Sequence, residues 1–410
     1  MIYNSFTSKF VVIRNRLLDF GETSLDSILL ETPDLYKQLC EAGIIIDDKM
    51  DEMSLLEKCI EEADNNENEF IMHINPTLDC NFNCWYCYEN HLSGSKMDND
   101  VMEATKKLIA SILRKPEIAF FELGFFGGEP LYHFKSVAKN IIERTGNLCK
   151  ELGKKLHVHF TSNGALVTPE MVEFLSQYNC GFQITLDGGK AKHDKTRYSK
   201  NSVGSYDIIV KNILLLASAN IDVIVRVNYT TENIDSVTSI FDSFKDVPEE
   251  CKTHIKFDFQ RVWQDRSNEE DETELKITEI RRRFRHENFL VLANYIPHDV
   301  RDSCYGDKIN HILINYNGDV YGCTARDFNK DNRIGFLDES GVIQFDEEKV
   351  HKRNNSKYSK PVCKECRIAP LCGGGCKQRA SESKTEACTM GYCEDDMDNI
   401  VLKIFEHSFL

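Results

Sequence analysis

Three cysteines stand within eight positions of each other in the run LDCNFNCWYCYEN: Cys80, Cys84 and Cys87, spaced C-x3-C-x2-C. Thiolates at such spacing are soft metal ligands. A structural zinc ion wants four protein ligands in a closed tetrahedron. Residues 70–148 hold no further cysteine, so His73 or His91 would have to complete a zinc site. A four-iron cluster also takes four cysteines as a rule. A loop that supplies three leaves one iron open to an outside ligand.

Downstream, a predicted strand ends in GFFGGEP, with Gly127, Gly128, Glu129 and Pro130. Two glycines after a strand let the backbone approach a ligand closely, and a carboxylate beside them can pair with an ammonium group. Two further strands end in TSNG (Thr161 to Gly164) and TLDGG (Thr185 to Gly189), both turn signals. HDKTR follows, with His193, Asp194 and Arg197, and Arg226 lies on the fifth predicted strand.

A second group of cysteines lies near the C-terminus. Cys304 is followed by thirteen residues, Gly318, four residues and Cys323; then come Cys363-x2-Cys366-x5-Cys372-x3-Cys376, Cys388 and Cys393. Paired C-x2-C spacing suits zinc ribbons, but seven or eight thiolates exceed the need of one zinc. The other five cysteines (Cys40, Cys59, Cys149, Cys180 and Cys251) are scattered and read as small buried hydrophobes.

The loop CNFNCWYCY, with Tyr86 directly before the third cysteine, resembles the radical S-adenosylmethionine (SAM) superfamily. The resemblance implies that Cys80, Cys84 and Cys87 ligate a [4Fe-4S] cluster whose fourth iron is chelated by SAM. It further implies that Tyr86, Gly127, Gly128, Glu129 and Pro130 belong to the cofactor site, with the GGEP motif on the SAM amino group. Asn163, Thr185, Arg197 and Arg226 would lie near the rest of SAM. The C-terminal pattern is similar to the SPASM domain, which carries two auxiliary [4Fe-4S] clusters, making three in all. On that likeness Cys363, Cys366, Cys372 and Cys393 ligate the outer cluster, and Cys304, Cys323 and Cys376 the inner one. Two departures stand out. No cysteine follows Cys304 before residue 323, so the inner cluster has an open iron or recruits Cys388. And Thr324 occupies the position where sulfatase-maturing dehydrogenases of the family carry an acceptor aspartate; Asp319 and Asp327 are offset from it.

The elements that must position these residues alternate. Short apolar runs at 70–75, 117–126, 156–161, 181–186, 222–228 and 254–260 are separated by amphipathic segments at 100–113, 134–150, 168–177 and 204–218. Such alternation predicts parallel strands with helical crossovers. Six units make an α/β fold with a partial (β/α)6 barrel over residues 69–298. A small α+β segment precedes it (1–68), with a helix through Leu35, Leu39 and Ala42, Gly43 at its end and a strand at Ile44 to Ile46. The acidic run 61–69 reads as a linker or solvated helix end. Residues 264–275 read as a polar insertion, followed by a helix at 276–288. From 299 to 410 the chain reads as a loop-rich iron–sulfur domain ending in a helix after Cys393.

At 410 residues, with 41% apolar and 28% charged residues, the chain is globular and has more than one domain. Its net charge of −16 disfavours nucleic acid as a partner, and no apolar run is long enough to span a membrane. Phe10 to Ile13 before Arg14 is too short for a secretory signal, which suggests the cytoplasm, where clustered thiols bind metal rather than form disulfides. SPASM relatives mostly modify peptides or proteins. The expected function is therefore maturation of a ribosomally made peptide: a 5′-deoxyadenosyl radical abstracts hydrogen, and a thioether or carbon–carbon crosslink forms. Residues 1–68 would be a possible peptide-recognition element, and a flavodoxin or ferredoxin the reductant. The alternatives are a dehydrogenase acting on a Cys or Ser of a protein, and a zinc-bound peptide adaptor without chemistry.

Overall fold

The computed structural model describes residues 1–13, 24–199, 203–265, 270–293, 297 and 299–409. Arg14, residues 266–269 of the expected insertion and the expected boundary at 298 lie outside the described residues. The chain forms two compact units that do not follow the expected three-part division. One contains Met1–Asn66, Ile296–Ile309 and His351–Leu410; the other contains Glu67–Tyr295 and Asn310–Val350.

In the first unit, β1 (Ile2–Asn4) and β2 (Lys9–Val11) form a hairpin, followed by α1 (Leu25–Glu31), α2 (Pro33–Glu41) and α3 (Glu52–Asp64). Val11, Ile28, Leu39 and Ala42 make a small core. The strand expected at Ile44 to Ile46 is absent. The amides of Ile44 and Ile45 both turn back to the Leu39 carbonyl and close the end of α2, which leaves no extended pairing partner. The acidic run is, as expected, mostly the solvated end of α3 and the turn after it, and within it Asp64 alone is buried. Lys357 Nζ lies 3.1 Å from Asp64 and 3.3 Å from Asp307, and Lys377 Nζ lies 3.5 Å from Asp64. Buried charges persist only when paired in this way. Cys149 and Cys180 are buried as expected, Cys59 and Cys251 are half-buried, and Cys40 is exposed.

The second unit is one open, eleven-stranded sheet. Its centre is six parallel strands in sequence order: β3 (Glu69–Ile74), β4 (Phe120–Phe125), β5 (Lys155–Ser162), β6 (Asn179–Leu186), β7 (Asp222–Tyr229) and β8 (Ile255–Arg261). The partial-barrel reading is borne out. β9 (Leu290–Val291) extends one edge. At the other edge, β10 (His311–Ile314) runs parallel to β3, and β11 (Asp319–Tyr321), β12 (Arg333–Leu337) and β13 (Ile343–Phe345) follow antiparallel. Part of the expected loop-rich domain is therefore sheet.

Between the strands lie α4 (Asn99–Leu113), α5 (Lys139–Leu152), α6 (Pro169–Leu175), α7 (Lys190–Thr196) and α8 (Tyr206–Ser218). Their ends are set locally. Asp98 caps α4 by accepting from the Val101 amide, Thr168 caps α6 ahead of Pro169, and α5 stops at Gly153 in the left-handed region, φ +66°. The helix expected at 276–288 begins earlier, at Glu270, and runs to His286.

Alternation along the strands separates two faces. Phe121, Leu123, Phe125, Val158, Phe160, Phe182, Ile184, Val223, Val225 and Phe257 are buried on one, where Phe125, Phe160 and Phe182 stack at 4.9 Å intervals. The other face carries His73, Glu122, His157, His159, Gln183, Thr185, Arg226 and Asp258 in adjacent registers. Among the described residues no helix is long and apolar enough to cross a membrane.

Candidate active site

The three cysteines leave the sheet just past β3, where parallel strands present their C-terminal ends to ligands. Their loop is pinned at its base. The Leu78 amide donates to Ser95 Oγ (2.8 Å), the Gly94 amide donates to Asp79 Oδ2 (2.8 Å), and the Leu92 amide donates to the Leu78 carbonyl (3.0 Å). Phe82 is buried and anchors the middle. Cys80 is buried, Cys84 half-buried and Cys87 exposed, and none of the sixteen cysteines forms a disulfide. Burial pushes the Cys80 thiol up to about 12 and Cys87 to about 11. A metal that binds them must therefore displace their protons.

The loop rests on the glycine turn after β4. The Glu129 amide donates to the Asp79 carbonyl at 2.9 Å. Gly127 and Gly128 have φ of +80° and +50°. A Cβ on Gly128 would come 2.2 Å from the Asp79 carbonyl oxygen, and one on Gly127 would come 2.5 Å from the Asn75 side chain. Only glycine fits either place. Pro130 is buried and starts the next turn. The Glu129 carboxylate is fully buried and faces inward. Oε1 accepts from Ser162 Oγ (2.8 Å) and the Leu131 amide (3.0 Å), and Oε2 accepts from the Asn163 amide (2.8 Å).

Tyr86 ties the loop to β6. Its hydroxyl donates to Asp187 Oδ2 at 2.6 Å and accepts from Arg197 at 2.7 Å, while Gln264 donates to its carbonyl at 2.8 Å. Gln264, expected in a polar insertion, is thus part of the site. Burial raises the Asp187 carboxyl, opposed by Arg197 and Tyr86. His193 is buried and structural: Nδ1 accepts from the Asp187 amide (3.2 Å) and Nε2 meets Ser205 Oγ (2.9 Å). Asp194 caps α8 through the Ser205 and Tyr206 amides. Asn163 donates to Asn81 (2.7 Å) and lies 3.9 Å from Cys80 Sγ. Thr185 and Arg226 are register partners on β6 and β7, and Arg226 donates to Asn228 on its own strand.

Five buried polar atoms around this loop have no partner: Asn75 Oδ1, Glu89 Oε1, Asp187 Oδ1, Arg197 Nε and Gln264 Oε1. Unsatisfied buried atoms are costly and rare. A group of them beside three thiols and a glycine ledge fits a polar ligand next to an iron–sulfur cluster. A zinc ion fits less well. Thiolates at about 2.3 Å from one zinc would lie roughly 3.8 Å apart. Among the described residues, the only three candidate ligand atoms within 4.8 Å of each other belong to Cys87, Glu89 and His91. His73 is engaged elsewhere, with Nδ1 3.1 Å from His311 Nε2. Sequence reasoning passed over Glu89, Asn75, Asp187 and Gln264. The last three would have needed knowledge of the fold; Glu89, two residues past Cys87, could have been found by proximity.

In the first unit, Cys363, Cys366, Cys372 and Cys376 lie on short helices and turns. Cys372 and Cys376 are joined by Gly373, Gly374 and Gly375, all with positive φ, where a Cβ on Gly374 would come 2.6 Å from the Tyr358 amide. The Cys304 turn is held against Cys376's neighbour, because the Lys377 amide donates to Asp307 (2.8 Å). Cys388 is an electrostatic neighbour of both Cys363 and Cys372, and Gly375 packs on Thr389 and Met390. Cys393 precedes the terminal helix Glu394–Phe409, its amide donating to Asp396 (2.8 Å). Spacing had favoured Cys393 for the outer set and left Cys388 without a place there. In the second unit, Cys323 is half-buried just past β11, Thr324 is buried, and Asp319 is paired with Arg333 at 2.8 Å.

Residues 74–244 match the profile of the Radical SAM superfamily. The chain is 27% identical over 205 residues to the radical SAM cyclopropyl synthase TigE of Paramaledivibacter caminithermalis, covering 44% of this chain and 42% of that protein. It is 24% identical over 329 residues to a cysteine-type anaerobic sulfatase-maturating enzyme of Clostridium novyi, covering 73% and 85%. The chain spans less than half the length of the first two curated relatives that it matches. Its fold is similar to that of native anSMEcpe, solved with AdoMet and the Kp18Cys peptide, with a TM-score of 0.61 at 17% identity, covering 83% of this chain and 97% of that one.

Proposed function

We propose that this chain is a radical SAM enzyme that modifies a ribosomally made peptide, most simply by forming a thioether or carbon–carbon crosslink. The observation that carries this reading is the three-cysteine loop seated on the Gly127–Gly128 ledge, with five unpartnered buried polar atoms around it. Cys80, Cys84 and Cys87 would hold a [4Fe-4S] cluster, and the Gly127 to Pro130 turn with Asn163, Thr185, Arg197 and Arg226 would hold SAM. When bound, the cluster would supply the reducing electron for cleavage of SAM.

The chain's own residues orient and enclose. Tyr86, Asp187 and Arg197 fix the loop against β6, and the two glycines bring backbone within ligand reach. Cys363, Cys366, Cys372 and Cys393, with Cys304, Cys323 and Cys376, would hold two auxiliary clusters, for three in all. A flavodoxin or ferredoxin would supply electrons. The peptide substrate is favoured by a similar structure that holds a peptide.

The dehydrogenase reading has support from the sulfatase-maturating relative. Against it stand Thr324 at the acceptor position and Asp319 committed to Arg333. The two readings part in one experiment. Anaerobically reconstituted protein is incubated with SAM, reductant and a short peptide encoded beside its gene. A product lighter by two hydrogens and inert to hydrazine probes is expected. A hydrazine-reactive carbonyl would replace crosslinking by dehydrogenation, and an unchanged peptide with zinc in place of iron would leave the adaptor.

A further inference from the structure

The side chains of Lys357, Lys360 and Lys377 are buried in the first unit, and two of them are neutralised. Lys357 and Lys377 pair with Asp64, and Lys357 also with Asp307. Lys360 differs. It is 7% exposed and opens the turn that carries Cys363, whose amide donates to the Lys360 carbonyl at 3.0 Å. Its ammonium donates to Ser383 Oγ (2.6 Å) and to the Thr385 carbonyl, and among the described residues it forms no ion pair. Both acceptors are neutral.

A buried cation is costly unless an anion compensates it. The candidates beside Lys360 are thiols. Burial raises the Cys363 thiol, Cys388 and Cys366 add to this, and Lys360 and Lys364 oppose it. The two lysines are not equivalent. Lys364 is exposed and paired with Glu57, so solvent and its partner screen it. Lys360 is shielded from both. Iron held by four thiolates is an anionic centre, and its potential depends on net charge and on what surrounds the sulfurs. A fixed charge acts strongly across a low-dielectric interior. We infer that Lys360 is the internal counter-charge of the outer auxiliary cluster and favours its one-electron reduced state. The inference rests on the auxiliary-cluster reading, in which Cys363 is a ligand, and names a residue outside the cysteine pattern.

The test is a potentiometric titration of anaerobic, cluster-loaded protein, followed by electron paramagnetic resonance. Lys360→Gln keeps a donor toward Ser383 but removes the charge. It is expected to shift the reduction equilibrium of one auxiliary cluster at least tenfold toward the oxidised form, about 59 mV for one electron. Iron content should not change. Lys360→Arg keeps the charge, and Lys364→Gln removes one that is already screened; both should stay within about threefold of wild type. Equal potentials in wild type and K360Q overturn the inference. So does a shift of the same size in K360R, which would mark a packing role, or in K364Q, which would mark a general effect of surface charge. If K360Q sheds iron, K360R decides by the iron it retains: wild-type content supports the inference, and an equal loss overturns it. Wild-type protein that holds zinc, or only about four irons, would defeat the auxiliary-cluster reading itself, a result distinct from the others.

Discussion

The Tyr86 hydroxyl lies 2.6 Å from Asp187 Oδ2, joining the cysteine loop to the end of β6 across 101 residues of sequence. The same oxygen accepts from Arg197 at 2.7 Å. One phenol thus settles both an acid and a base that are buried with it.

Tyr86→Phe should therefore cost more than one ordinary hydrogen bond. It leaves Asp187 with neither oxygen satisfied by the loop and removes an acceptor from Arg197. A loss of about 2 kcal/mol is expected, seen as a melting temperature lower by a few degrees. SAM binding should weaken as the loop loosens. Unchanged melting and binding would mean that the contact is incidental.

Gly128→Ala should fold poorly at the ledge. The residue would carry a left-handed backbone, costing roughly 1 kcal/mol, and its Cβ would overlap the Asp79 carbonyl at 2.2 Å. Gly94→Ala is the control: its φ is also positive, +74°, but nothing lies within 4 Å of the added carbon. Circular dichroism melts and SAM affinity should separate the two, with at least a tenfold loss of affinity only at Gly128.

The auxiliary sites give a contrast between Cys388 and Cys393. Cys388 neighbours Cys363 and Cys372, whereas Cys393 sits at the start of the last helix. Three clusters imply roughly twelve irons per chain. With Cys393 in the outer set, Cys393→Ala is expected to lose about four of them, and Cys388→Ala fewer. The reverse result would put Cys388 in the place of Cys393. Iron analysis with Mössbauer spectra decides it.

Acid should destabilise the sheet through His73. Burial depresses this imidazole from 6.5 to about 4, with His159 adding to the depression and Glu122 opposing it. Between those values the unfolded chain holds a proton that the folded chain does not, so stability rises with pH. The contribution is complete above about pH 6.5 and is lost as pH falls toward 4. It is at most about 3 kcal/mol, of which about 1 is gone by pH 5.5. His193, buried and depressed further, acts in the same sense. Urea unfolding between pH 7.5 and 5.5 should show the slope, and His73→Gln should flatten it.

Much of this site was readable because its chemistry fixes residue types at short range. Three thiols in eight positions, and two glycines where no Cβ fits, must appear as such in any sequence that builds them. The six central strands were readable because buried parallel strands are short apolar runs. What escaped depended on distant partners. β10 joins β3 across some 240 residues of chain, with only four residues to signal it. Asp64 looked like a solvated acid because its lysines lie almost three hundred residues on. Ile44 and Ile45 have strand-like side chains, but their amides serve the end of α2. Glu89 looked like any surface glutamate until Gly128 was found against it.

The most direct measurement of the central claim is 5′-deoxyadenosine formed from SAM under anaerobic, reducing conditions. Wild-type protein should produce it. The variant with Cys80, Cys84 and Cys87 all changed to alanine should produce none, while keeping the roughly eight irons of the auxiliary sites. Product from the triple variant at the wild-type rate would contradict the account.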